Sequence, residues 1–271
     1  MHKTNKEYWD NVWIGSKISI IPSKKSTLLD YKNKRFHEFF CKTFANIKTQ
    51  GMALLEIGCA RSEWLPYFSN EFGFEVSGID YSEIGCQQAS EILSKEGVKG
   101  NIVCADFFNP PASMIGAFDV VVSFGVAEHF QNTPMCIAAF AKFLKPGGLL
   151  LTIIPNITGL IGRIQKLINR PIFDIHMPLD KPSLLQAHKI SGFEILDCDY
   201  FMPFNFGICN LNGISPGSLS WFIKKIILKL LTGCSLILWF IEDKIWRFTP
   251  DKFIGSYVNC IARKITVNRQ K

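Results

Sequence analysis

Five short apolar runs punctuate the first 156 residues, "MALLEIG", "FEVSGID", "GNIVCAD", "FDVVVSFG" and "LLLTIIPN", and they constrain the fold more than any other feature. Each is rich in Val, Ile or Leu, and most stop on a polar or acidic residue. Runs of this kind are strands buried on both faces, which requires helices to cover a parallel sheet. The intervening segments "EWLPYFSNEFG", "SEIGCQQASEILSKEG" and "TPMCIAAFAKFLKPGG" read as helices, the second closed by Gly97. Upstream, Phe36, Phe39, Phe40, Phe44 and Ile47 recur at helical spacing, with Lys and Arg between them, so a helix over 29–47 should pack on the sheet. Strands alternating with helices imply an α/β fold whose ligand sites lie outside the carboxyl ends of the strands.

After Asn156 the rhythm breaks. "GFEILDCDYF" and "SYVNCIARKITV" read as two further strands, which makes 157–192 and 202–255 insertions on a sheet that resumes. A chain of 271 residues that is 48% hydrophobic suits one large domain. The 23 Phe and the 20% charged fraction exclude disorder. A net charge of +7, spread without a long basic tract, favours anionic partners such as phosphates or acidic lipid. No helix-turn-helix, zinc-finger or RNP-type signature accompanies it, so nucleic acid is not expected. The nine cysteines form no C-x-x-C pair, and several fall in strand-like runs. They read as buried thiols in a reducing compartment, with neither a disulfide framework nor a metal site indicated. "MHKTNKEYWDNVW" has no apolar core of a secretory signal, and a cytoplasmic location is expected.

Acidic or polar residues fall where successive strands stop: Glu56, Asp80, Asp106, and the pair Glu128 and His129 a few residues past "VVVSFG". Set side by side at one edge of a parallel sheet, they describe a groove. The turn after the first strand, "LEIGCARS", has Gly58 but carries Ala60 and Ser62 where a dinucleotide-binding turn needs glycines to admit a pyrophosphate. An acid just before the turn would repel a pyrophosphate but suits hydroxyl, amine and ammonium donors.

This order of motifs resembles the class I S-adenosylmethionine-dependent methyltransferases over 53–156, with a weaker match through "GFEIL" to the last strand. The resemblance implies a Rossmann-like, seven-stranded, mostly parallel sheet with the last strand antiparallel, helices on both faces, and helical insertions after the fifth and sixth strands. It implies an N-terminal helical lid over 1–50 and a cofactor-binding domain over 51–271, with S-adenosylmethionine as cofactor. Its cofactor contacts would come from Glu56, Gly58, Cys59 and Ala60 in the turn, Asp80 and Tyr81 after the second strand, Asp106 and Phe107 after the third, Phe124 on the fourth, and Trp13 from the lid. Ala60 stands where the family has its second Gly, a methyl group expected to face the cofactor. Arg61 either pairs with the cofactor carboxylate or points to solvent.

The implied chemistry is in-line methyl transfer to an oxygen of a small molecule, glycan or lipid-linked acceptor; a catalytically silent binding module or membrane adaptor is the alternative. Such a displacement asks the protein to position two reactants and to remove one proton. His129 is placed to act as the base or to close the cofactor pocket. His176, in the insertion that would cover the acceptor, reads as a base, a hydrogen-bond donor or a loop residue. His188 reads as a surface residue. Tyr8, Trp9 and Trp13, on a short helix, read as an aromatic lid or as core.

"WFIKKIILKLLTGCSLILWFI", residues 221–241, is the most hydrophobic stretch, but its uninterrupted part, 230–241, is too short to cross a bilayer. On a helical wheel Lys224, Lys225, Lys229, Thr232 and Ser235 share one face, and Phe222, Ile226, Ile227, Leu230, Ile237 and Phe240 the other. "GLIGRIQKLINR" repeats the theme with Arg163, Lys166 and Arg170. These patterns fit helices lying on an anionic membrane surface, although helices of this kind more often pack on their own domain or form a dimer interface.

Overall fold

Val120, Val121 and Val122 have no exposed surface, because they lie in the fourth strand of a sheet covered on both faces. The computed structural model describes residues 3–14 and 30–266. Its strands are β1 (Ala53–Ile57), β2 (Glu75–Asp80), β3 (Gly100–Cys104), β4 (Phe118–Phe124), β5 (Leu144–Pro155), β6 (Phe193–Pro203) and β7 (Gly255–Lys264), in the order β3-β2-β1-β4-β5-β7-β6. The first five pair in parallel, and β7 runs antiparallel to both neighbours. The expected seven-stranded, Rossmann-like architecture is therefore present.

The helices are α1 (Lys6–Trp13), α2 (Tyr31–Phe44), α3 (Trp64–Phe72), α4 (Glu83–Lys95), α5 (Thr133–Phe143), α6 (Leu160–Ile168), α7 (Arg170–Asp174), α8 (Lys181–Ile190) and α9 (Leu219–Lys244). Local sequence explains their ends. Gly73 stops α3 in the left-handed region at φ 71°, and the Ser82 hydroxyl caps α4 by accepting the Gly85 N–H at 3.0 Å. The helix expected over 133–148 ends at Phe143 instead. Pro146 has no N–H to offer and disfavours helical geometry at Lys145, so 144–148 joins β5 across a register shift against β4.

Two apolar layers hold the sheet. On one face Phe36, Phe40 and Phe44 of α2 meet Phe68 of α3, with the Phe40 and Phe68 rings edge-on at 4.9 Å, over Leu54, Val120 and Val122. On the other, Ile137, Phe140 and Phe143 of α5 and Leu184 of α8 cover Leu55, Ile57 and Val121. His188 belongs to this second layer, which corrects its reading as a surface residue. It lies one turn after the fully buried Leu184 on the inward face of α8, where its Nδ1 meets the Leu184 carbonyl at 2.9 Å and its Nε2 the Thr152 hydroxyl at 3.0 Å.

The insertions form α6, α7 and α8 between β5 and β6, and α9 between β6 and β7. Ser235, Trp239 and Glu242 anchor α9. The Ser235 hydroxyl accepts the Phe206 N–H at 3.0 Å, the Trp239 indole donates to the Pro203 carbonyl at 3.2 Å, and the buried Glu242 pairs with Arg35 of α2 at 2.9 Å. Ser235 thus lies on the docked side of α9, not on an exposed polar face, since residues at i, i+4 and i+7 share one side. Phe222, Ile226, Ile227, Leu230, Ile237 and Phe240 stay exposed. No helix among the described residues is long and apolar enough to cross a membrane.

Candidate functional site

The chain leaves β1 through a turn whose conformation follows from three neighbours. Gly58 takes φ 78°, its N–H donates to the Ile79 carbonyl at 2.9 Å, and a Cβ there would lie 2.4 Å from the Val126 side chain. The Ser62 hydroxyl donates to the buried Glu56 carboxylate and accepts the N–H groups of Trp64 and Leu65, both at 3.1 Å, so it ties the end of β1 to the start of α3. Burial drives Glu56 from an ordinary carboxylate value up to about 8, with the Ser62 bond opposing the shift.

Asp80, at the end of β2, accepts the Ala60 N–H at 3.1 Å and the Ser82 N–H at 2.8 Å. Burial raises its pKa against the pull of those bonds. α1 closes over this edge of the sheet. Asp10 accepts the Ser82 hydroxyl at 2.6 Å, the Trp13 carbonyl accepts the Gln88 amide at 3.0 Å, and Trp9 meets the His129 ring edge-on at 5.1 Å. The Arg61 guanidinium lies 5.3 Å from the centre of the Trp13 ring, so Arg61 packs against α1.

These elements enclose a cavity of about 250 Å³. Of the residues expected to hold a cofactor, Glu56, Gly58, Ala60, Asp80, Tyr81, Phe107, Phe124 and Trp13 line it. Cys59 and Asp106 do not. The Cys59 side chain is buried beneath the turn, where its sulfur would lie 2.5 Å from a Cβ at Gly78. Asp106 is exposed, and its carboxylate accepts the Phe108 N–H at 2.9 Å, closing its own loop. The Ala60 methyl is turned toward Gly85 of α4.

A second cavity, of about 340 Å³, shares Trp64, Phe124, Gly125 and His129 with the first. Glu128, His176, Phe36, Ile208 and Tyr257 line it further. Between β4 and α5 the chain makes one tight turn, Ala127–His129, which carries both Glu128 and His129. The insertion after β5 brings His176 alongside, with the two imidazole centres 4.6 Å apart. Each ring is oriented by a backbone carbonyl: Nδ1 of His129 lies 3.2 Å from the Ile175 oxygen, and Nδ1 of His176 lies 2.6 Å from that of Ile172. A carbonyl only accepts, so Nδ1 holds the proton and Nε2 the free lone pair in each neutral ring. Burial lowers His129 to about 3 and lowers His176 as well, which keeps both rings neutral at pH 7. Burial also pushes Glu128 up to about 8, and among the described residues one of its oxygens has no hydrogen-bond partner.

The sequence groups Glu128 with His129 and puts both histidines on this side of the sheet, but does not bring Glu128 to His176. The adjacent "EH" pair was the available signal; the approach of His176 from a distant insertion had none. Trp64, stacked on Phe124 at 5.3 Å in the shared wall, was likewise read only as a helix residue.

Residues 29–196 match the family described as "Methyltransferase domain". The "Ubiquinone biosynthesis O-methyltransferase" of Caulobacter vibrioides (strain ATCC 19089 / CIP 103742 / CB 15) is 32% identical over 109 residues, 40% of this chain and 43% of that protein. A "Probable S-adenosylmethionine-dependent methyltransferase" of Mycolicibacterium smegmatis (strain ATCC 700084 / mc(2)155) is 28% identical over 166 residues, 60% of each. The chain thus spans less than two thirds of the length of these curated relatives. Among solved structures, geranyl diphosphate C-methyltransferase from Streptomyces coelicolor A3(2) has the same fold at a TM-score of 0.59 and 14% identity, covering 96% of this chain and 98% of that one. The family's cofactor is S-adenosylmethionine, and the cavity fits it, with buried acids at the ends of β1 and β2, a glycine turn between them and aromatic walls. By the match over 29–196 and the strand order of its sheet, the chain belongs to the class I S-adenosylmethionine-dependent methyltransferase family.

Proposed function

We propose that the protein methylates an oxygen atom of a small lipophilic or lipid-linked acceptor. The observation that carries this reading is the shared wall between the two cavities: Trp64, Phe124, Gly125 and His129 border both, so a donor in one meets an acceptor in the other. S-adenosylmethionine, when bound, supplies an electrophilic methyl group on a sulfonium. Asp80 and Glu56 provide acceptors for hydroxyl and ammonium groups, Arg61 a cation for a carboxylate, and Tyr81, Phe107 and Trp13 apolar surface for a flat ring. α1, with Trp9 and Trp13, serves as the lid that keeps water from the site.

On the acceptor side, His129 and His176 offer Nε2 lone pairs, and Glu128 adds a carboxylate. A hydroxyl brought against this group is held there by hydrogen bonds in reach of the methyl donor, and the O-methylating relative in ubiquinone biosynthesis supports oxygen as the attacked atom. The insertion that supplies His176 also supplies α6, whose Leu167 is 84% exposed. Beside it α9 presents Leu219 at 76%, Leu230 at 66% and Ile237 at 64%. An apolar groove of about 660 Å³ runs between the two helices, lined by Ile164, Leu167, Ile168, Ile223 and Ile227. Arg163, Lys166, Lys225 and Lys229 are exposed on the same two helices. Apolar side chains with a basic fringe are the pattern of a face that rests on anionic lipid, and that contact supports a lipophilic acceptor.

The test is transfer of a radiolabelled methyl group from S-adenosylmethionine into an organic-solvent extract of membranes, with calorimetric titration of S-adenosylhomocysteine alongside. Label that survives alkali, as an ether does and an ester does not, is the expected result. Absence of both label and heat would count against the reading.

A further inference from the structure

Glu128, His129 and His176 each offer one ligand atom, a carboxylate oxygen or a ring nitrogen, and the three atoms lie within 4.8 Å of one another. Three acceptors converging in a buried place make an unusual group. Neutral imidazoles with Nδ1 already donating to a carbonyl present only a lone pair at Nε2, and Glu128 has a buried oxygen with no donor among the described residues. Leaving a carboxylate in that state is strongly unfavourable unless a cation or a proton joins it.

We propose that Glu128, His129 and His176 bind one divalent first-row transition-metal ion at the acceptor side of the cofactor cavity. Two imidazoles and a carboxylate are a donor set for zinc, manganese, iron or cobalt, whereas magnesium prefers oxygen throughout. The carbonyls of Ile175 and Ile172 do for these rings what outer hydrogen-bond partners do in metal sites, setting both tautomer and orientation. The turn that carries two of the ligands is held from both sides: Lys3 N–H donates to the His129 carbonyl at 2.9 Å and Met177 N–H to the Glu128 carbonyl at 2.6 Å. The Lys3 ammonium donates to the carbonyls of Asp174 and His176, both at 3.0 Å, which ties the segment that carries His176 to the N-terminal segment. Ligands about 2.0–2.2 Å from a tetrahedral ion lie roughly 3.4 Å apart, so the three groups close inward by about an ångström as the ion enters.

Three protein ligands leave a coordination position open toward the second cavity, which Glu128, His129 and His176 all line. An acceptor hydroxyl placed there is acidified by the ion and releases its proton to water. This role rests on the methyl-transfer reading above; the binding of the ion does not.

The test uses the full-length protein, stripped with chelator and titrated with Co²⁺, whose visible spectrum separates nitrogen and oxygen ligands from thiolates such as the exposed Cys41, Cys104 and Cys234. One ion per chain is expected, with a spectrum free of thiolate charge-transfer bands. Glu128→Gln and His176→Asn should each weaken binding roughly tenfold or more. Absence of uptake by the unsubstituted protein, or uptake unchanged in both variants, would overturn the site. Should Glu128→Gln fail to fold, His176→Asn carries the comparison alone. S-adenosylhomocysteine is titrated in the same samples. Cofactor-product binding without cobalt uptake removes the metal site and leaves the methyltransferase reading; cobalt uptake without cofactor-product binding does the reverse.

Discussion

Gly85 of α4 lies directly against Ala60 of the cofactor turn: a Cβ at residue 85 would sit 2.4 Å from the Ala60 methyl and 3.0 Å from its Cα. The Gly85 carbonyl also accepts the Arg61 N–H at 3.1 Å. The extra methyl in the turn is therefore accommodated by a missing side chain on the neighbouring helix. Gly85→Ala should destabilise the protein by about 1–3 kcal/mol through overpacking and loosen cofactor-product binding. Adding Ala60→Gly should restore both. Thermal denaturation of the two single variants and the double variant checks this, and strictly additive effects would show that the residues do not press on each other.

Arg61 has φ 52°, in the left-handed region that a side chain occupies at a cost of about 1 kcal/mol. Arg61→Gly should raise the thermal midpoint while lowering affinity for S-adenosylhomocysteine, because it removes the cation above Trp13. A variant that loses stability and keeps its affinity would place the value of Arg61 in packing alone.

Asp80 accepts two backbone N–H groups and lines the cofactor cavity. Asp80→Ala should weaken cofactor-product binding by about 1–3 kcal/mol, the range for lost charge-assisted hydrogen bonds. Calorimetry measures it directly, and an unchanged dissociation constant would remove Asp80 from the site.

Among the buried groups, His188 and Glu56 give the stability of the protein opposite slopes with pH, His129 adding to the first and Glu128 to the second. Burial takes His188 from 6.5 down to about 4, so the unfolded chain binds more protons between those values. Its contribution is complete above 6.5 and is lost as pH falls through 4, by at most about 3 kcal/mol. Burial takes Glu56 from 4.5 up to about 8, so its contribution is complete below 4.5 and is lost as pH rises through 8. His188→Gln should flatten the acid side of a stability profile and Glu56→Gln the alkaline side. Denaturant titrations from pH 4 to pH 8 test each slope separately.

The exposed face of α9 should hold the protein on anionic vesicles at low salt and release it as salt is raised. Replacing Leu230 and Ile237 by Glu should abolish co-sedimentation without changing the thermal midpoint, since neither side chain is buried. Equal recovery with neutral and anionic vesicles would remove the basic fringe from the account.

The strands, their alternation with helices and the acids at their ends were legible in the sequence because each depends on neighbours close in the chain. Runs such as "FDVVVSFG" can bury both faces only in a covered parallel sheet, and Gly58 takes its positive φ where the first strand turns. Glu56, Asp80, Tyr81 and Phe124 followed from that register. Which side chains enter the cavity depended on packing at long range, and local patterns do not encode it. Cys59 turned under Gly78, Asp106 closed its own loop, and the Ala60 methyl found Gly85. His188 went inward because α8 covers the sheet with the face that carries it. Ser235 docked because α9 is gripped by Arg35 and by the Pro203 carbonyl, leaving its apolar side to solvent. His176 reaches His129 from 47 residues further along the chain, and only the folding of α6 and α7 across the carboxyl end of β5 brings the two rings and Glu128 together. A contact between distant segments is specified by the shape of the whole core, so tertiary structure alone decided it.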